Sequence, residues 1–95
     1  MFLASNLKFL RKRRKRTQDE VAFALQLKRS TLNGYEHGVG QPNLERLVAL
    51  ANYYRFGLDD LVCRDLGRLP ESKLRILEQQ KEILLTPARQ NNQTG

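Results

Sequence analysis

The segment Lys28–His37 holds side chains whose chemistry suits hydrogen bonding to nucleic-acid bases. Projected at about 100° per residue, one side of such a helix carries polar or small residues: Arg29, Ser30, Asn33, Gly34 and His37. The opposite side carries Thr31, Leu32 and Tyr35 and would face a core. Arg can form two parallel hydrogen bonds with guanine, Asn can form two with adenine, and Ser can bond several bases. The outward side is therefore suited to reading base edges in a major groove.

A second short helical pattern precedes this segment and would position it. Thr17 is a good N-cap, which makes Gln18 the first helical residue, and acidic residues follow in the first turn, where they suit the helix dipole. One face would then be buried through Val21, Ala22 and Leu25. Only Gln26 and Leu27 separate the two patterns, so the helices must meet steeply, in helix-turn-helix geometry. From spacing alone, the alternative is an ordinary corner between two helices with a solvated polar face.

The excess of positive charge lies at the beginning of the chain. The sequence has 17 Lys and Arg against 10 Asp and Glu, a net charge of +7, and residues 1–16 contain basic residues but no acidic ones. The basic residues of this run are Lys8, Arg11, Lys12, Arg13, Arg14, Lys15 and Arg16. Because the run ends at the N-cap Thr17, its last residues and the helix start would face the same phosphate strand. The alternatives are a solvated helix end, support of the preceding helix dipole, a nuclear-localisation patch or an anchor on anionic membrane.

The rest of the chain predicts further helices and no strand. The expected elements are helix 1 from about Asn6 to Arg14 after the N-cap Ser5, a stop at Gly38, helix 4 after the N-cap Asn43, a short helix 5 after Gly57, and a C-terminal helix from Glu71 to Thr86. Helix 4 would present a broad apolar face: Leu44, Leu47, Val48, Leu50, Ala51 and Tyr54. We therefore expect an all-α fold, with a five-helix domain in residues 1–65, a connector and helix in 66–87, and a flexible tail in 88–95.

Composition argues against several classes of function. His37 is the single histidine, and no Cys–His, Ser–His–Asp or clustered carboxylate pattern supplies a catalytic site, so we expect no enzyme activity, no metal site and no cofactor. Cys63 has no disulfide partner, which fits a reducing cytosol, and its apolar neighbours Leu61 and Val62 favour a buried thiol. No apolar run approaches about 18 residues and no signal-peptide pattern opens the chain, so we expect a cytoplasmic protein.

Residues 6–62 resemble the Cro/CI-type, or XRE-type, helix-turn-helix family of bacterial and phage regulators. The resemblance is carried by LR (10–11), TQDEVA (17–22), L-x-L (25–27), RSTLNGYEHG (29–38), P-N-L-E-R-L (42–47), LA (50–51) and GLDDL (57–61). It implies a lambda repressor-like DNA-binding domain whose second motif helix reads the major groove. The expected partner is double-stranded DNA with a palindromic operator, with no membrane partner, and the expected function is that of a transcriptional repressor. The resemblance also implies a bacterial or phage-encoded protein associated with the nucleoid in the cytoplasm.

The resemblance also implies roles for individual residues. The base-reading positions would be Arg29, Ser30, Thr31, Asn33 and Gly34. The resemblance gives Gln18 and Lys28 as phosphate-contacting positions. The basic run and the helix start supply the other phosphate candidates: Arg14, Lys15, Arg16 and Thr17. Gln18 would in addition brace the second motif helix. Arg11 and Glu36 would form a structural ion pair, which separates Arg11 from its basic neighbours.

Three positions depart from the family pattern. Gln26 stands in the tight turn where Gly is common, and a positive φ there would cost about 1 kcal/mol. Arg55 stands where helix 4 commonly ends in Gly. Gly34 takes a position at which other members carry a reading side chain.

The C-terminal third leaves several interpretations open. Its apolar residues fall on two stripes, Leu74, Leu77 and Leu84 on one and Ile76 and Ile83 on the other. The helix could fold back on helix 5, hold a weak homodimer that becomes firm on DNA, or lead into a further domain. In the last case the chain would be the N-terminal part of a longer phage-type repressor. The alternative function is that of an antitoxin, which would bind a protein partner through residues 66–87.

Overall fold

The computed structural model of the protein describes residues 1–81, and every regular element in that range is helical. The α-helices are α1 Leu3–Arg13, α2 Gln18–Ala24, α3 Arg29–Glu36, α4 Leu44–Tyr54, α5 Leu58–Cys63 and α6 Glu71–Gln80. A 3₁₀ turn, Leu66–Arg68, lies between α5 and α6. The all-α prediction is confirmed. Residues 82–86 of the predicted C-terminal helix and the predicted tail, residues 88–95, lie outside the described residues.

The core forms around α1, which packs against α3, α5 and the 3₁₀ turn. The buried apolar side chains are Leu7, Leu10, Val21, Ala22, Leu32, Tyr35, Leu50, Ala51, Tyr54, Phe56, Leu61, Leu66 and Leu74. The buried faces predicted for α2 and α3 are confirmed by Val21, Ala22, Leu32 and Tyr35. Full burial of a large apolar side chain stabilises a fold by about 1.5–3 kcal/mol. These faces therefore fix how the two motif helices pack into the core, with α3 against α1 and α2 against α3.

A buried asparagine joins α1 to the segment after α5. The Nδ2 amide of Asn6 donates to the carbonyls of Leu61 and Arg64, each at 2.7 Å, and Oδ1 accepts from the Leu66 amide at 3.1 Å. Asn6 is only 1% exposed, and a polar group left unpaired at that depth costs about 1–3 kcal/mol. The three bonds therefore hold the chain near α5 against the first turns of α1.

The first helix begins earlier than expected. It starts at Leu3 rather than Asn6, and Ser5 lies inside it instead of capping it. The Ser5 hydroxyl donates to the Phe2 carbonyl at 3.1 Å, and the Phe2 amide donates to the Val62 carbonyl at 2.8 Å. The predicted N-cap at Ser5 is therefore wrong, because a long-range bond to α5 anchors the chain before that residue.

The corner between α2 and α3 is built from a capping box and a left-handed residue. Thr17 Oγ1 accepts from the Glu20 amide at 3.1 Å, and Glu20 Oε1 accepts from the Thr17 amide at 2.8 Å, which confirms the predicted N-cap. Gln26 has a φ of 58°, a conformation that costs a non-glycine residue about 1–2 kcal/mol. The Leu27 amide then donates to the Ala22 carbonyl at 2.8 Å and closes the turn.

Three other residues adopt left-handed backbone at ends of helices. Gly38, with a φ of 74°, follows α3 as predicted, because glycine accepts this conformation without a steric penalty. Arg55 ends α4 with a φ of 64°, in the place where the family commonly has Gly. Lys15, between α1 and α2, has a φ of 58° that the sequence analysis did not foresee.

A buried ion pair joins α1 to α3. Arg11 Nε donates to Glu36 Oε2 at 2.8 Å, and Arg11 Nη2 donates to Glu36 Oε1 at 3.1 Å, which is bidentate geometry. The Glu36 side chain is fully buried and that of Arg11 is 12% exposed. Hydrogen bonding to Glu36 raises the pKa of Arg11. Arg11 Nη1 also donates to the Arg16 carbonyl at 3.0 Å, so the same side chain supports the connection between α1 and α2.

The C-terminal helix folds back onto α1 and the core. Leu74 is 1% exposed within the core, and Leu77 packs against it. Arg13 of α1 donates to both Glu71 and Glu78 of α6, at distances from 2.7 to 3.1 Å. Residues of α6 therefore belong to the same core as residues 1–65. Leu84 and Ile83, which the sequence analysis placed on this helix, lie outside the described residues.

Two predictions about apolar residues are wrong. Cys63 is exposed rather than buried. It follows the buried Leu61 by two residues, which turns it about 200° around α5 and away from the core. Leu44, expected on the buried face of helix 4, is 70% exposed. As the first residue of α4 it precedes the packed part of that face, which begins at Leu47.

Replacing Glu36 by Ala should destabilise the fold, because the charge of Arg11 would remain in a largely buried site without its partner. Breaking such a pair from one side costs about 3–5 kcal/mol, measurable as a decrease in the free energy of unfolding by denaturant. The matched control is Glu45→Ala at an exposed position of α4, expected to change that free energy by less than about 1 kcal/mol. Equal, small decreases in both variants would refute the structural role of the pair.

Acid should loosen the packing of α6 on α1. Hydrogen bonds from Arg13 lower the pKa of Glu78 below its usual 4.5. A carboxyl with a lowered folded-state pKa stabilises the fold fully above its unfolded value and loses this contribution as pH falls through the folded value. The free energy of unfolding should therefore decrease below pH 4.5. In the variant Glu78→Gln, the free energy of unfolding measured by denaturant titration should be lower than that of the parent at neutral pH. It should also decrease less steeply as the pH falls through that range. Parallel curves for parent and variant would mean that Glu78 contributes nothing to acid sensitivity.

Candidate nucleic-acid interface

The outward side of α3 is open to solvent. Its exposed residues are Arg29, Ser30, Asn33 and His37, and Thr31 and Gly34 are half-buried. Leu32 and Tyr35 are buried on the opposite side. Gln18 of α2 lines one shallow depression together with Arg29, Ser30 and Asn33. The structure thus brings three of the candidate base-reading side chains together beside the candidate brace.

Gln18 connects this surface to the interior. Its Nε2 donates to Asn33 Oδ1 at 3.0 Å and to Glu36 Oε1 at 3.1 Å. Its Oε1 accepts from Arg29 Nε at 3.4 Å. One side chain therefore bonds the buried carboxylate of Glu36 and two side chains of the exposed face. The orientations of Arg29 and Asn33 are set partly by the protein itself.

The two terminal guanidinium nitrogens of Arg29 have no bonding partner within residues 1–81. Its side chain is 65% exposed, and its Nε lies 3.8 Å from Asp19 Oδ1 as well as near Gln18. Within residues 1–81, both of these interactions involve Nε, so the terminal nitrogens remain available as a fork. Asp19 is one of the acidic residues in the first turn of α2, where its position predicted only a favourable interaction with the helix dipole. Its proximity to Arg29 depends on the turn between α2 and α3 and carries no signal in residue spacing.

The beginning of α2 gathers most of the phosphate candidates. Lys15, Arg16 and Thr17 are exposed, and Gln18 is half-buried as the first residue of the helix. Lys28, the N-cap of α3, is exposed as well. Positive side chains favour anions at such a helix start. The capping box already engages the amides of Thr17 and Glu20, and the acidic Asp19 and Glu20 are exposed in the same turn. The corner therefore offers three exposed cations beside the depression: Lys15, Arg16 and Lys28.

Arg14 has a different environment from its neighbours in the basic run. Its Nη1 and Nη2 donate to the carbonyls of Tyr53 and Tyr54, at 2.9 and 3.0 Å. Its guanidinium carbon lies 5.9 Å from the centre of the Tyr53 ring and 5.7 Å from the centre of the Tyr54 ring. A cation at this place satisfies the last carbonyls of α4 and its dipole. The structure therefore favours a structural role for Arg14 over the phosphate role assigned from the sequence.

A basic residue that the sequence analysis missed lies on the other side of α3. Arg46 Nη1 donates to the Tyr35 hydroxyl at 3.0 Å, and its backbone amide donates to the N-cap oxygen of Asn43 at 2.8 Å. Arg46 is exposed, so it adds a positive charge where α4 begins beside α3. The stretch containing Arg46 was recognised only as part of a family motif, since its bond to Tyr35 joins two separate helices.

Two kinds of site, a metal cluster and a membrane-spanning helix, are absent from residues 1–81. That range holds no group of three or more His, Cys, Asp or Glu residues placed to bind a metal ion. None of its helices combines the length and apolar character needed to cross a membrane.

Comparison with protein families agrees with this geometry. The family model described as Helix-turn-helix matches residues 7–61, more than half of the chain. The matched range begins in α1, ends in α5 and contains the whole corner formed by α2 and α3. Searches of curated proteins and of solved structures found no significant match. The chain belongs to the Cro/CI-type (XRE-type) helix-turn-helix family of DNA-binding regulators.

Proposed function

We propose that the protein is a sequence-specific transcriptional repressor that reads double-stranded operator DNA through the major groove with α3, in the cytoplasm of a bacterium. The observation that carries this proposal is the depression lined by Gln18, Arg29, Ser30 and Asn33. In it, exposed hydrogen-bonding groups stand on a helix whose other face is buried in the core. A helix supported from behind in this way offers its front to base edges.

Arg29 would make the main base contact. Because Gln18 and Asp19 face its Nε, the two terminal nitrogens are left to donate side by side. Guanine offers O6 and N7 as adjacent acceptors in the major groove, and Arg is the side chain that most often bonds both. Ser30 and Asn33, one and four residues further along α3, would read neighbouring positions.

The charged edge beside α3 would supply affinity without sequence preference. Lys15, Arg16 and Lys28 are exposed around the start of α2 and α3, and Thr17 and Gln18 form the start of α2 beside them. Interactions of this kind position a protein on the phosphate backbone and release counterions. Arg46 would extend the same edge beyond the far side of α3.

One copy of α3 is too small a reading surface to select a single operator. Two or three reading side chains cover about four or five base pairs, while a bacterial genome offers about 10⁶ or more competing sites. Two copies related by a two-fold axis would place their reading helices about 34 Å apart, one turn of DNA. The proposal therefore includes an inverted-repeat operator and a weak homodimer that becomes firm on DNA.

The packing of α6 bears on the choice between a regulator and an antitoxin. An antitoxin would use its C-terminal segment to bind a toxin, and an α6-mediated dimer would use the stripe that contains Leu74. Leu74 is instead buried within the chain, and Leu77 packs against the same core. Ile76, which is 46% exposed, remains on the outer side of α6. This packing favours the self-contained regulator.

Selection of bound sequences from random duplex DNA tests the proposed function. The parent protein should recover inverted repeats with half-sites about 10 base pairs apart. Guanine should be enriched where Arg29 reads, since such a fork discriminates by about 1–3 kcal/mol. Recovery of sequences without a common motif would count against base reading. Light scattering that finds one copy on an asymmetric site at saturation would exclude the two-fold arrangement.

The same selection with Arg29→Ala supplies the residue-level control. This variant should lose the guanine preference and bind the preferred site far more weakly, with a much smaller decrease in affinity for random DNA. Arg68→Ala is the matched arginine variant, because Arg68 is 87% exposed in the 3₁₀ turn, and it should keep the parental motif. If Arg29→Ala weakened binding to both kinds of DNA equally, Arg29 would be a phosphate contact only.

Neutralising the two cations before α2 should reduce affinity without changing sequence preference. In the double variant Lys15→Gln, Arg16→Gln, the log–log salt slope of the binding constant should decrease by up to about one for each phosphate that the protein no longer neutralises. Arg14→Gln is the control, since its guanidinium is held by α4, and its salt slope should match the parent while its stability falls. An unchanged slope in the double variant would show that this corner faces away from DNA.

A further inference from the structure

The buried carboxylate of Glu36 determines which way the Gln18 amide faces. Both Glu36 oxygens accept from Arg11, and an ionised carboxylate has no proton to donate. The Gln18 atom 3.1 Å from Glu36 Oε1 must therefore be the Nε2 donor. The other end of the same amide gives an independent check, because Arg29 can only donate, and its Nε faces Gln18 Oε1 at 3.4 Å. The two neighbours agree on one orientation of Gln18.

The orientation of Gln18 in turn fixes Asn33. The Nε2 group of Gln18 has a second N–H, and the Asn33 atom 3.0 Å away must accept it. That atom is therefore the carbonyl oxygen Oδ1, and the amide nitrogen Nδ2 is the group of Asn33 left for an outside partner. Asn33 is exposed, so its NH₂ group is available at the surface of the depression.

This relay changes what Asn33 reads. An asparagine that recognises adenine uses its oxygen to accept from N6 and its nitrogen to donate to N7, so both atoms must face the base. In this protein, the oxygen of Asn33 faces Gln18, which takes one of its two lone pairs, and the nitrogen has no partner within residues 1–81. We propose that Glu36, acting through Gln18, turns the nitrogen of Asn33 toward the DNA and so makes Asn33 mainly a donor, which selects a base with acceptors on its major-groove edge.

The proposal rests on the proposed function and assigns part of the half-site. Guanine presents O6 and N7, and thymine presents O4, so either base suits the free NH₂ of Asn33. Adenine keeps N7 but adds a donor at N6, and cytosine presents a donor at N4. The expected order at the Asn33 position is guanine or thymine first, then adenine, with cytosine last. Gln18 is in this scheme a specificity-determining residue that contacts no base.

The base preference is measured by selection from random duplex DNA with three proteins. Comparing Asn33→Ala with the parent identifies the Asn33 position as the one at which discrimination disappears. At that position the parent should favour guanine or thymine over adenine by roughly tenfold. In Gln18→Leu the oxygen of Asn33 is released, and the ratio should shift toward adenine by a comparable factor. Because Gln18 is also a phosphate candidate, total affinity will fall, so the readout is the ratio of bases within each selection.

Gln79→Leu is the matched control for the removal of a glutamine amide. Gln79 is exposed on α6, and its replacement should leave the base ratio at every position at the parental value. A parental preference for adenine at the Asn33 position, or a ratio unchanged in Gln18→Leu, would overturn the proposal.

A measurement on the free protein separates the relay from the proposed function. In ¹⁵N-resolved NMR spectra, the side-chain amide protons of Gln18 should be shifted downfield and exchange slowly with water, whereas those of Asn33 should exchange rapidly. The reverse pattern would overturn the relay whatever the DNA result. Selection without any sequence preference, together with the expected amide pattern, would overturn the proposed function and the base assignment while leaving the relay in place.

Discussion

A carboxylate that cannot reach water sets the geometry of the motif. Glu36 lies on α3 with its side chain fully buried, and a charge removed from solvent in this way needs paired and hydrogen-bonded partners. It finds them on two other helices, in Arg11 of α1 and Gln18 of α2. Because three helices meet at one group, any shift of α3 against α1 or α2 would leave that charge unsatisfied. The exposed face of α3 is thus held in position by the buried interactions of Glu36.

The same interactions hold backbone conformations that local preference disfavours. Lys15 and Gln26, on either side of α2, each have a φ of 58°, at a cost of about 1–2 kcal/mol per residue. Beside Lys15, the carbonyl of Arg16 accepts from Arg11, and after Gln26 the Leu27 amide bonds back into α2. Strain at both turns is thus offset by bonds that tertiary structure provides. Glycine would relieve the strain at either position, but the fold does not require it.

Residue type and spacing were sufficient wherever the deciding interaction is local. The Thr17 cap, the stop at Gly38 and the buried face of α3 all depend on neighbours within a few residues, and the sequence predicted them. The start of α1 and the partners of Arg14 depend on distant segments, and spacing gives no signal for them. Arg14 bonds a carbonyl 39 residues away. The outward face of α3 was likewise predictable as a set of residues, whereas the bonds that orient its amides require the helices to be placed in space.

The basic run shows why net charge is a poor guide to the exposed positive surface. Arg11, Arg13 and Arg14 are held by carboxylates or carbonyls of α3, α4 and α6, and the fork of arginine suits such bidentate pairing better than the point charge of lysine. Lys8, Lys12, Lys15 and Arg16 remain exposed. Three of the seven basic residues of the run therefore serve folding, and the exposed positive charge is smaller than the sequence implies. In the proposed function, discrimination between DNA sites would then depend more on the orientation of the groups on α3 than on electrostatic attraction, which is the same for every sequence.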